Sequence, residues 1–135
     1  MTTQNPGAGL SAEVIDGTFA LAREGRVAEL TEMVRAGVPV DTRNARSDTM
    51  LIVAAYAQQA EVVSALIDLG ADLNIENTMG QTAISCAVFR NDEPILQALL
   101  DAGADPDRVF RSALAIADQF QLSAMTEVLT KHAAR

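Results

Sequence analysis

Few side chains in this sequence are of a type that does chemistry, and their spacing argues against catalysis. His132 is the only histidine. No Ser or Cys can be placed beside it in the mutual geometry that a nucleophile and its base require, so it reads as a solvated residue near the chain end. Cys86 is the only cysteine, which excludes an internal disulfide and a cysteine metal cluster. It shares its register with Val53 and reads as a small buried hydrophobe, not as a reactive thiol. Asp72 and Asp105 recur at a spacing of ~33 residues, the length of a structural repeat, which makes them turn-stabilising side chains and not an acid–base pair. The carboxylates between Asp101 and Asp107 lack the spacing of a calcium loop. There is no phosphate-binding loop and no dinucleotide fingerprint. The residues therefore predict a protein that is not an enzyme and uses no cofactor or metal.

Bulk properties narrow the partner classes. The chain has 135 residues, enough for one domain, and a net charge of −8. That charge argues against nucleic acid, whose phosphates call for a basic face, and against anionic membrane surfaces. It is compatible with a basic protein partner and is also an ordinary solubility device. Hydrophobic residues make up 49% of the chain, yet aromatics only 4% and Trp is absent. The core must be built from Ala, Leu, Ile and Val, which suits thin helices in close contact. No stretch approaches the length of a membrane span. The first residues, MTTQNPGAGL, carry neither a basic region nor an apolar run, so they are no signal peptide and the expected location is cytoplasmic. Lys131 is the only Lys, and together with the many alanines this matches the composition of GC-rich bacterial genomes.

The elements that would position any surface repeat along the chain. Gly37 to Gly70 and Gly70 to Gly103 superpose at that same spacing of ~33 residues. Thr49 falls on Thr82, Leu51 on Ile84, Ala54 on Ala87, Tyr56 on Phe89, Val63 on Leu96 and Leu66 on Leu99. Residues 1–10 are small and polar and read as a disordered lead. Ser11 is a candidate N-cap for a helix to about Glu24, and a second helix runs from Val27 to about Ala36. Gly37, Gly70 and Gly103 stop successive helices. Ser47 or Asp48 is placed to cap a short apolar helix over Thr49 to Ala57, followed by an amphipathic helix over Ala60 to Leu69. The next pair covers Gln81 to Arg90 and then a helix with Pro94 in its first turn. The segment from Ser112 to Ala117 resembles the start of the first helix of a pair but comes three residues early, so the preceding connection must be shortened.

These residues resemble the ankyrin repeat family. Gly-Ala-Asp at 70–72 and 103–105, Asn74, Gly80-Gln81-Thr82-Ala83-Ile84 and Ala54-Ala55 carry the resemblance. It implies an all-α solenoid of about four stacked helix-turn-helix units with short hairpin connections, over residues 11–37, 38–70, 71–103 and 104–135. It departs from the family where Thr-Pro-Leu-His is expected. Thr49-Met50-Leu51-Ile52 and Thr82-Ala83-Ile84-Ser85 both lack the His that ties neighbouring turns, and Gln58-Gln59 and Asn91-Asp92 replace the Gly-His between helices. The hairpins are expected to be less rigid than in an idealised repeat, and the fourth, around Asp107 to Arg111, is not expected to form as such. Stacking predicts one buried row of Leu30, Val63 and Leu96 and another of Met33, Leu66 and Leu99. Polar residues at both ends predict a complete, monomeric domain.

The resemblance also implies a function, binding another protein through the concave face lined by inner helices and hairpin tips. Register places Arg46, Asp48 and Tyr56 of the second unit there, and Thr78, Met79, Gln81, Phe89 and Arg90 of the third. Arg23 corresponds in the first unit, and Gln119 or Phe120 in the fourth. Tyr56 and Phe89 lie one repeat apart, on helices about 10 Å from each other at ordinary spacing. Two aromatics at one repeat position beside Arg90 read as interface anchors. The competing reading has both rings folded over neighbouring alanines to close a thin core. The expected role is adaptor, regulator or inhibitor of immunity type. The alternative is an accessory protein that stabilises a metabolic or redox enzyme.

Overall fold

The computed structural model of the protein describes residues 10–106 and 113–133. Eight helices form four pairs among them: α1 (Ala12–Glu24) with α2 (Val27–Arg35), α3 (Met50–Tyr56) with α4 (Ala60–Asp68), α5 (Ala83–Phe89) with α6 (Glu93–Asp101), and α7 (Ala113–Gln119) with α8 (Ser123–Ala133). The first helices pack in series, α1 on α3, α3 on α5 and α5 on α7, and the second helices form a parallel row of α2, α4, α6 and α8. No sheet is present among the described residues, and the one strand-like feature is an isolated antiparallel bridge between Arg43 and Thr49. The architecture is an all-α solenoid. The lead at residues 1–9 and the fourth hairpin at Asp107 to Arg111 lie outside the described residues.

Alanine sets the spacing of the inner row. Ala22, Ala54, Ala55, Ala87 and Ala117 are fully buried there, and a side chain of one carbon lets neighbouring helices close without a void. The outer row supplies bulk. Leu30, Val63 and Leu96 are all fully buried, as are Leu66 and Leu99. Met33, expected to complete the second row, is only partly buried because α2 has a neighbour on one side alone. At the other end Met125 and Leu129 of α8 cover α6. α7 begins at Ala113, whereas a full repeat beyond Ala83 falls at Ile116. The connection before it is therefore short.

Caps fix the helix starts. Ser11 Oγ accepts from the Val14 amide at 3.2 Å, as its position implied. The cap of α3 is neither Ser47 nor Asp48 but Thr49, whose Oγ1 accepts from Ile52 N at 3.2 Å. Ser47 is unavailable because it holds the left-handed turn before the helix, at φ 62°. Its counterpart one repeat later is Gly80, at φ 75°. Thr82 caps α5 in the same way, so that helix starts later than the expected Gln81. Ser85 stands where the family pattern has His. Its hydroxyl donates to Thr82 O at 2.9 Å and accepts from Thr82 N at 2.8 Å. The capping box keeps Ser85 within its own unit.

Other side chains tie the units together. Asp41 Oδ1 accepts from Asp72 N at 3.0 Å, and one repeat later Asn74 Oδ1 accepts from Asp105 N at 2.9 Å. Asp72 also accepts from Asn74 N within its own turn, at 3.0 Å. The two hairpin turns are built on Asn44 and Asn77. Asn44 Oδ1 accepts from Arg46 N and Asp48 N, and Asn77 Oδ1 accepts from Met79 N and Gln81 N. The Asn77 amide then donates to Asp48 Oδ1 at 2.8 Å and to Gln81 Oε1 at 2.9 Å.

Asn77 thus completes one hairpin and joins it to the previous one. Asn77→Ala removes these bonds and is expected to lower stability by about 1–3 kcal/mol. A drop in melting temperature of several degrees is the measurement, and Asn44→Ala, which lacks the bridge to a neighbouring unit, should cost less.

Candidate functional site

The hairpin turns and inner helices enclose a groove of about 770 Å³. Arg46 and Asp48 come to it from the first hairpin, Met79 and Gln81 from the second, and Tyr56 and Arg90 from the ends of α3 and α5. The structure therefore gathers six of the eight sequence-derived residues around one cavity. Arg23, at the end of α1, joins them. The remaining two stand beside it. Thr78 is exposed and donates through Oγ1 to Arg46 O at 3.2 Å, so it helps to link the hairpins. Phe89 lies behind Tyr56.

The aromatic geometry separates the two readings of these rings. Tyr56 is 47% exposed and Phe89 51%, so neither closes a core. Their helices hold them at ring centroids of 6.4 Å with planes 13° apart, in a stacked pair. Phe120, directly after α7, meets Phe89 edge-on with centroids 5.7 Å apart and remains 48% exposed. Three units thus contribute one ring each to a continuous stripe. Of the two fourth-unit candidates, Phe120 takes the place in it. Aligning α7 with α5 puts Gln119 opposite Phe89, and the ring contact is made by the residue after it. Met79 is 79% exposed at the second hairpin tip.

Polar contacts hold the cations and acids of the groove differently. The Arg90 guanidinium lies 5.1 Å from the centre of the Tyr56 ring and donates to Gln58 Oε1 at 3.0 Å. Gln58 Nε2 donates in turn to Asp92 Oδ2 at 3.2 Å. Gln58 sits in the left-handed region at φ 60°, as does Asn91 at φ 57°. These positions follow Gly25 in the repeat, at φ 78°. Gln59 Nε2 donates to Arg23 O at 2.9 Å, fixing the end of α1 against the next unit. Asp48 and Gln81 are half-buried and held by Asn77. They shape the groove floor, while Arg46 is exposed.

Cys86 forms part of the floor and is 2% exposed. Burial pushes its thiol up from 9.0 to about 12, with a smaller contribution from the Asp48 carboxylate. A neutral, enclosed thiol is a weak nucleophile. His132 differs from its expected solvated state. It is half-buried on α8, and its Nδ1 is shielded without a hydrogen-bond partner. Among the described residues no three side chains of metal-binding type cluster.

Paired helices of this length, stacked in two rows with hairpin turns at one edge, agree with one comparison. The family model described as ankyrin repeats (3 copies) matches residues 19–109. The chain belongs to the ankyrin repeat family. Ankyrin repeats are generally protein–protein interaction modules and typically non-catalytic. A search of curated proteins found no match. The structure shows what stands at one departure of this ankyrin chain from the family pattern and where its units are tied. Ser85 makes a local cap, and Asp41, Asn74 and Asn77 are among the side chains that tie units together. No helix among the described residues is long and apolar enough to cross a membrane.

Two measurements follow. Tyr56→Ala with Phe89→Ala should lower stability by no more than about 1–3 kcal/mol, since it loses two half-exposed ring contacts and the Arg90 contact with Tyr56, against about 3–5 kcal/mol for each buried phenylalanine truncated. Retained helical circular dichroism with a small shift in melting is the expected result. For Cys86, the folded thiol ionises above the unfolded one. Its stabilising contribution is complete below pH 9 and is lost as pH rises towards about 12. Denaturant melts on both sides of pH 9 should show that loss, and Cys86→Ala should remove that part of the slope.

Proposed function

We propose that this chain is a non-enzymatic docking protein that binds a folded protein partner through the inner-helix face and hairpin tips, acting in the cytoplasm as an adaptor, regulator or inhibitor of immunity type. The observation that supports it is the stripe of Tyr56, Phe89 and Phe120. Each ring is about half exposed, yet all three are positioned by contact with one another. Soluble chains seldom leave contiguous aromatic surface uncovered without a use for it. The rings are ordered before any partner arrives, so docking does not require a large loss of side-chain freedom. Tyr56 and Phe89 supply apolar contact and Met79 extends it at the hairpin tip. Arg46, Arg90 and Thr78 supply hydrogen-bonding direction, and Asp48 and Gln81 hold the hairpins in register. A face spanning three units reaches the ~800 Å² per partner of a standard interface. The role of accessory protein to a metabolic or redox enzyme would use the same face, and no feature of the described residues favours it.

Affinity capture from the native cell tests this reading. The wild-type chain should retain a stoichiometric partner, and Tyr56→Ala with Phe89→Ala should lose it while keeping its fold. Retention of the same partner by the folded double variant would remove the aromatic stripe from the interface.

A further inference from the structure

The charge of the groove runs opposite to the charge of the chain. The net charge is −8, yet Arg23, Arg46 and Arg90 all line this one cavity. Asp48 is the only acidic residue among the groove's lining side chains, and its Oδ1 already accepts from Asn77. None of the three arginines pairs with a carboxylate among the described residues. The ion pairs found there belong to Arg26, with Glu24 and Glu29, outside the groove. Arg90 is oriented by a neutral amide, Gln58, and by the Tyr56 ring, which leaves its charge uncompensated by any direct acidic contact. Evenly dispersed surface charge would have brought acidic side chains to these cations.

Resting on the docking reading above, we propose that the groove receives an acidic segment of the partner protein. Asp or Glu carboxylates of that segment engage the guanidinium groups of Arg23, Arg46 and Arg90, and an adjacent apolar side chain packs on Tyr56 and Phe89. Guanidinium and carboxylate match as planar, two-pronged groups, and charge-assisted bonds of this kind are about twice as strong as neutral ones. Local charge complementarity favours this occupant. A nucleic acid would offer anions too, but its phosphates continue along the strand beyond three arginines and onto an acidic exterior. A short acidic segment ends where the basic groove ends.

The test is selection of a random dodecapeptide library on the full chain. Recovered peptides should be severalfold enriched in Asp and Glu over the starting library, with an apolar residue close by. Their affinity should fall about tenfold or more when Asp and Glu are changed to Asn and Gln, and equally in Arg23→Gln with Arg46→Gln, at unchanged melting temperature. Recovery of no peptide, of peptides without an acidic excess, or equal affinity for a single-stranded oligodeoxynucleotide overturns the proposal. A second arm separates it from the docking reading. A native partner lost by the aromatic variant but kept by the arginine variant leaves docking intact and removes the acidic segment. A partner kept by both variants removes docking through this face altogether.

Discussion

A helix of seven residues does not persist alone in water, because nucleation costs more than two turns of hydrogen bonds return. Three of the four inner helices here, α3, α5 and α7, have that length. Their existence depends on the contact each makes with the inner helix before and after it. That contact is close because alanine occupies it, and it is continuous because each unit covers the open side of the last. The bulkier outer row of Leu, Val and Ile then closes over the pair. Stability in such a stack is a sum of unit and nearest-neighbour terms, so the ends should be the weakest part. The partial burial of Met33 on α2 is the visible form of that inequality.

The same dependence explains the polar ties. A hairpin turn has no sheet to join, so the backbone groups not paired within the turn itself are satisfied by side chains or by the next turn. Asn44 and Asn77 do the first, and the Thr78 amide and hydroxyl bonding to Arg46 O do the second. Asp41 and Asn74, one repeat apart, each accept the amide that opens the next unit. Without the family's histidine, inter-unit bonding in this chain still runs through carboxylate and amide side chains at Asp41, Asn74 and Asn77.

Repeat spacing, glycine stops and the apolar faces were legible in the sequence because stacking forces them to recur. What recurs in type but differs in use was not. Ser47 and Gly80 share a left-handed turn, yet only the glycine announces it. Thr49 outcompeted Asp48 and Ser47 as the cap because its neighbours were already committed, Ser47 to the turn and Asp48 to Asn77. The bond that holds Asp48 is a long-range one from Asn77 and is not announced by the repeat period. The third ring of the aromatic stripe was ambiguous for a related reason. The end of α7 puts Gln119 in the place of Phe89, yet the ring that meets Phe89 is the next residue, Phe120.

The net charge of the chain and the charge of its groove differ in sign. A chain at −8 draws basic molecules from a distance, since at long range its charges act together. Within about 10 Å, however, salt screening leaves only nearby groups to decide the contact. In the groove those groups are Arg23, Arg46 and Arg90 over an aromatic edge, with one acid already bonded. Under the proposed docking mode, far field and near field would therefore favour opposite signs. An acidic segment carried on a partner that is otherwise basic would satisfy both, attracted as a whole and locked in at one point. Complementarity of that form raises the association rate and the specificity through separate parts of the partner's surface. It needs no more from the repeat scaffold than two arginines at inner-helix ends and one on a hairpin turn.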